Sequence, residues 1–230
     1  MNFPTEHEQT SFASYVIDNY GGGIGIPIPD NKSFEAECER LEKLCESEDP
    51  TKSKRIYLLE YSGDIITSKS PKSLKLKSEA YINAGSTCRR KAIESLVEYF
   101  KGDRWDSDLP NDFLGPTSRQ DAIHSALWVN LADCYYGEKE YEHSETCFQN
   151  AITLNPDLTN YLKFSEFYSR IKQYDKAISL LQSALARSPL PSYLSSIDET
   201  SILKDQIKTY ENRKENYLLK QSKKSKQPDK

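Results

Sequence analysis

Glycine is scarce in this chain, at 9 of 230 residues. That scarcity disfavours β-turn-rich folds and the Gly-rich loops that cradle nucleotides. The GGGIG run at Gly21–Gly25 is not followed by GK[ST] and opens no G-x-G-x-x-G, so it is no phosphate loop. Histidine is nearly absent, with only His7, His124 and His143, and none stands in an HExxH, an HxH or a Cys/His spacing. The five cysteines (Cys38, Cys45, Cys88, Cys134 and Cys147) are odd in number and form no CxxC pair. They read as reduced thiols of a cytoplasmic protein, with neither a disulfide framework nor a zinc ribbon. No apolar run approaches the roughly 20 residues of a membrane span. The first ten residues have no basic and apolar leader, so no secretory signal is expected.

What is present is charge and aromatic bulk. Charged residues are 29 % of the chain and hydrophobic ones 37 %, with 15 Tyr and 8 Phe. Mean hydropathy is −0.74. This balance suits an architecture with much surface per volume. The net charge of −4 is unevenly spread: residues 204–230 hold nine Lys/Arg against four Asp/Glu, a net +5, leaving −9 for the remainder. An acidic body is a poor host for nucleic acid, which needs a basic face. The basic end reads as the solvated back of a helix followed by a loose tail.

Residues 1–32 read as a flexible N-terminal arm because of Gly21–Gly23 and the Ile-Pro alternation to Pro29. Residues 33–101 read as an N-terminal helical region. A first helix follows the cap-type residues Asp30, Asn31 and Ser33, carries Phe34, Cys38, Leu41 and Cys45 on one stripe, and stops near Pro50. A second spans Ser53–Ser68. A third runs from about Ser73 to Lys101, with Ala84-Gly85 marking a close approach or a kink. Residues 102–117 read as a polar loop, tucked down by Trp105 and Phe113. Its aspartates (Asp103, Asp106, Asp108 and Asp112) lack the spacing of a calcium loop.

From Ser125 the chain repeats with a period of 33. Trp128, Leu131, Ala132, Tyr135, Ser144, Phe148, Ala151 and Pro156 correspond to Tyr161, Phe164, Ser165, Tyr168, Ala177, Leu181, Ala184 and Pro189. The eight pairs agree in class, and a fixed period of this length signals stacked helix pairs. The small residues let two antiparallel helices approach, the large ones fill the space beside them, and the prolines end the second helices. Tyr135 and Tyr168 wedge between helices and need partners for their hydroxyls. The pattern resembles the tetratricopeptide repeat family, W-x2-L-G-x2-Y, then A-x3-F, then P. Ala132 and Ser165 stand where that family has Gly, and Ser144 where it has Ala. Tyr81, Ala84, Gly85 and Cys88 echo the first-helix pattern, with Asn83 corresponding to Asn130, but no second helix is legible after them.

The resemblance implies an all-α fold, a right-handed α-solenoid of antiparallel helix pairs. Residues 118–220 would hold the repeats and a C-terminal capping helix marked by Leu203, Ile207, Tyr210 and Tyr217, with 221–230 a disordered basic tail. It further implies a protein–protein interaction module or adaptor, not an enzyme, with no cofactor and no metal. A protein or peptide partner would lie in a groove at positions offset from the core: Val129, Asn130, Asp133 and Tyr136 in the first repeat, and Leu162, Lys163, Glu166 and Arg170 in the second. The alternatives are a self-assembling structural protein, a nucleic-acid- or membrane-associated factor using the basic end, and an enzyme with its site in 1–117.

Overall fold

The computed structural model describes residues 3–21, 32–102, 119–188, 190 and 198–224. Every regular element among them is helical: α1 (Glu6–Tyr20), α2 (Lys32–Glu48), α3 (Lys54–Asp64), α4 (Pro71–Ala84), a 3-10 turn (Ser86–Cys88), α5 (Arg89–Lys101), α6 (Arg119–Gly137), α7 (Tyr141–Leu154), α8 (Leu158–Arg170), α9 (Tyr174–Ala186) and α10 (Glu199–Lys224). The fold is all-α, built from helix pairs joined by short turns. The readings placed on 22–31, on the polar loop with Trp105 and Phe113, on Pro189, and on 225–230 lie outside the described residues. Two compact units divide the chain: Met1–Asp108 with Asp133–Glu140, and Leu109–Ala132 with Tyr141–Lys230.

In the first unit, the flexible arm expected over 1–32 is instead a core helix over much of its length. Thr5 and Glu8 form a capping box, each side chain accepting from the other's backbone N–H. The helix this starts, α1, buries Phe12, Ala13 and Val16 completely. Phe12 stacks on Phe3 at 4.7 Å and meets Phe34 of α2 edge-on at 5.4 Å. Arg55 of α3 closes the other end, donating to the carbonyls of Tyr20 and Gly21. The first-turn carboxylate of Glu6 accepts from the Ser70 and Ser73 hydroxyls at the start of α4. Those hydroxyls hold it below the usual carboxylate range.

Two helix limits differ from expectation. The second expected helix stops at Asp64 rather than Ser68, and Ser70 caps α4 from the residue before Pro71, with its hydroxyl accepting from Ser73 N–H. The single helix expected from about Ser73 to Lys101 is a helix pair. At Gly85 the backbone takes φ +98°, which L side chains rarely adopt, so the chain turns there and α5 packs back along α4.

This pair shares buried positions and tyrosine contacts with α8 and α9, in a register shifted from the one expected. Tyr81 corresponds to Tyr135 and Tyr168, not to Trp128, and a second helix does follow. Leu74, Ser78 and Tyr81 are buried on α4, and Ala92 and Leu96 on α5. The chemistry around the tyrosine repeats as well. Tyr81 donates to Asp64 at 2.7 Å, and Lys91 reaches the same carboxylate at 2.9 Å while lying 5.4 Å over the Tyr81 ring. Tyr168 donates to Glu145 at 2.8 Å, and Lys176 reaches that carboxylate at 2.9 Å and lies 5.2 Å over the Tyr168 ring. Each lysine directly precedes the small residue of its second helix, Ala92 or Ala177. Tyr81→Phe and Tyr168→Phe are therefore each expected to cost about 1 kcal/mol, the usual net worth of such a bond. Urea denaturation should show two losses of similar size at unchanged m. A loss confined to one site would end the equivalence.

The second unit carries the pair α8–α9 and the flanking α7 and α10. The turns before α7 and α9 have the same conformation: Lys139 and Lys172, 33 residues apart, stand at φ 64° and 66°. In the corresponding bonds, Glu140 N–H donates to the Tyr135 carbonyl and Gln173 N–H to the Tyr168 carbonyl, both at 2.9 Å. The small positions behave as the spacing predicts: Ala132, Ser144, Ser165 and Ala177 are fully buried, and Ser144 donates to the Ala132 carbonyl at 2.9 Å. Trp128 and Tyr135 are only half-buried, less than a core reading requires. Glu138 and Glu140 pair in the first unit with Arg89 and Arg90.

Candidate functional site

The geometry of the second unit starts from the bend between α7 and α8. Asp157 caps α8 by accepting from Asn160 N–H at 2.8 Å, and burial pushes its carboxyl above the ordinary range. The buried Asn160 side-chain amide donates to the Ser125 hydroxyl at 2.6 Å and to the Asn155 carbonyl at 2.7 Å. These bonds fix the start of α8 against α6. The apolar face of α8 is then buried through Tyr161, Phe164, Phe167 and Tyr168. Leu162, Lys163, Ser165 and Glu166 lie on the side toward α10.

The last helix is placed by two buried residues on one stripe, Leu203 and Tyr210, both fully inaccessible. The Tyr210 hydroxyl lies 3.4 Å from the hydroxyl of Ser165, the small residue of the second repeat. A Gly, Ala or Ser there leaves room for α10 to come close. One turn further on, Arg213 donates to the Ser169 hydroxyl at 3.3 Å and covers the Tyr210 ring at 5.6 Å. Lys214 pairs with Asp175 at the start of α9.

Between α8 and α10 this packing leaves two open clefts that share Arg213. One, of about 350 Å³, is lined by Leu162, Lys163 and Glu166 from α8 and Gln206, Tyr210 and Arg213 from α10. The other, of about 510 Å³, is lined by Arg170, Lys172 and Tyr174 together with Arg213, Tyr217 and Lys220. Of the six groove residues expected from the sequence, Lys163, Glu166 and Arg170 are brought together here, Arg170 donating to Glu166 at 2.7 Å. Asn130, half-buried in the same unit, is not part of either lining. Asp133 (exposed) and Tyr136 (half-buried) belong to the first unit.

Sequence reasoning missed the α10 side of these clefts. It assigned the basic residues of that helix to a solvated back, whereas Arg213 and Lys220 face the cleft alongside Tyr210 and Tyr217. The signal was present: Tyr210, Arg213, Tyr217 and Lys220 recur at spacings of three and four, one stripe of a helix.

Nucleophile and metal chemistry have little support among the described residues. All five cysteines are buried and unbridged, and burial pushes the thiols of Cys38 and Cys147 up to about 12 and that of Cys134 to about 11. These three thiols stay protonated at neutral pH. No group of three His, Cys, Asp or Glu side chains among the described residues could hold a metal ion. No described helix is long and apolar enough to cross a membrane.

The comparison with protein families matches residues 125–158 to the tetratricopeptide repeat. No curated protein matches the chain. Among solved structures, TTC0263, a tetratricopeptide-repeat protein of Thermus thermophilus, is similar with TM-score 0.43 and 14 % identity, over 90 % of this chain and 98 % of that one. MamA is similar with TM-score 0.36 and 19 % identity, over 88 % of this chain and 99 % of that one. The matched segment spans α6, the turn with Lys139 at positive φ, α7 and the bend at Pro156. Residues 125–158 of this all-α chain are a tetratricopeptide repeat.

Proposed function

We propose that this chain is a protein–protein interaction module whose second unit receives a peptide segment along α8 and α10. Tetratricopeptide repeats generally mediate protein–protein interaction, and the repeat at 125–158 leads directly into the helices that line the clefts. The observation that carries the reading is the pair of clefts itself. Their linings set charged and amide side chains beside the half-buried Tyr217 and Leu162, which is the mixture that orients a peptide while giving it apolar contact. Lys163, Glu166 and Arg170 are the partner-facing residues of α8 in this reading.

A photo-crosslinking residue placed at Lys163 tests it. In the native extract it is expected to capture a discrete protein set, whereas the same residue at Gln182, exposed on α9, captures little. Equal capture at the two positions would remove α8 from the binding face.

A further inference from the structure

We infer that the α8–α10 clefts take an acidic peptide segment; this deepens the proposed function and rests on it. Several of the chain's cations are matched: Arg89, Arg90 and Lys91 meet carboxylates of Glu138, Glu140, Glu60 and Asp64, and Lys176 and Lys214 meet Glu145 and Asp175. Along the two clefts this matching fails. Lys163, Lys172, Arg213 and Lys220 have no carboxylate partner among the described residues. The lining holds five cations, counting Arg170, against one carboxylate, Glu166, already paired with Arg170.

A chain of net charge −4 thus lines these two clefts with an excess of positive charge. Opposite charges on a ligand would complete these pairs, and a cleft focuses the field better than an open face does. Arg213 is central, since it borders both clefts and is held in place by Ser169 and by the Tyr210 ring. Holding it lowers the entropy cost of binding a carboxylate in a forked, two-bond geometry. The spacing along α10 from Arg213 to Lys220 is about two helical turns, about 10 Å at 1.5 Å per residue. An extended strand covers that distance with about three residues, so carboxylates near positions i and i+3 of a peptide would reach both cations.

A peptide fits better than a nucleic acid. Tyr174 is buried and turned onto Tyr217 at 5.9 Å and 58°, so these rings do not form an open stacking platform for bases.

Fluorescence anisotropy on the full chain tests this with a labelled ten-residue peptide of alternating Glu and Tyr, its Gln/Tyr counterpart, and a single-stranded oligonucleotide of similar length. Binding of the Glu peptide is expected, weakening as salt rises, with the Gln peptide at least tenfold weaker. Arg213→Glu with Lys220→Glu should reduce Glu-peptide affinity at least tenfold, while circular dichroism shows the fold retained. Lys204→Glu, on an exposed position of α10 away from the clefts, should leave it unchanged. Equal binding of the Glu and Gln peptides, or insensitivity to the double reversal, overturns the inference. Tighter binding of the oligonucleotide, lost with the same reversal, overturns it in favour of nucleic acid. Capture at Lys163 that the Glu peptide does not compete away overturns only the acidic class and leaves the docking face standing.

Discussion

Phe164→Ala is expected to destabilise the second unit by about 3–5 kcal/mol, the range for removing a fully buried aromatic ring. Phe164 is 1 % exposed and is the junction of an aromatic stack. Its ring lies 5.3 Å from Phe148 of α7, nearly parallel at 13°, and 4.6 Å from Tyr168 one turn along α8. Phe167 closes the third side at 6.2 Å. Truncation removes the ring's own transfer free energy and leaves a void that three rigid rings cannot readily fill. A whole domain is stable by only about 5–15 kcal/mol, so this single change is a large fraction of the total. Leu218→Ala, at a position 54 % exposed, should stay within about 0.5 kcal/mol. Urea denaturation followed by circular dichroism compares the two. A loss below about 1.5 kcal/mol at Phe164 would mean that Phe164 does not hold α7 against α8 in this way.

Gly63→Val should be the most damaging small substitution in the first unit. A Cβ at Gly63 would stand 2.6 Å from Tyr81 Cε1 and 2.9 Å from Cδ1 and Cζ. The Tyr81 ring cannot swing aside cheaply: it is 3 % exposed, its hydroxyl is tied to Asp64, and Lys91 covers one face. Overpacking of this kind costs about 1–3 kcal/mol or more, and Val adds a stiff branched side chain. Gly63→Ala gains up to about 1 kcal/mol of helix propensity, so its net loss should be smaller. The decisive comparison is the double variant with Tyr81→Ala. Space left by the ring admits the valine, so the double variant should be more stable than the sum of the single losses by about 1 kcal/mol or more. Strict additivity would show that Gly63 and Tyr81 do not share this contact.

These two positions also mark how far the sequence can be read. Phe164 is legible, because the 33-residue period places it opposite Leu131 and both are core residues. Gly63 is not, since its need for a missing side chain comes from Tyr81 on the next helix. The helix α1 is half-legible: Thr5-x-x-Glu8 is a capping box in plain view, followed by Phe12 and Val16 four residues apart. The Gly21–Gly23 run masks that signal by suggesting a flexible arm. The helix pair at 71–101 is hidden for a similar reason. Gly85 reads as a kink within one helix, and the Lys91-Ala92 step that matches Lys176-Ala177 then loses its meaning as part of a second helix.

Among the six groove residues, the sequence could place Lys163, Glu166 and Arg170 together, because positions 3, 4 and 7 apart share a helix face. It could not say that Arg213 and Lys220 would stand opposite them. By itself, then, the sequence determined that the chain is helical, that residues from 125 onward come in paired helices, and which side of each helix is apolar. These follow from short-range rules of spacing, capping and proline placement. Only the tertiary structure decided that α1 belongs to the core, that Tyr81 and Tyr168 meet equivalent carboxylates, and that the basic stripe of α10 lines a cleft. Each depends on which distant side chain fills a given space or answers a given charge, and no local periodicity encodes that choice.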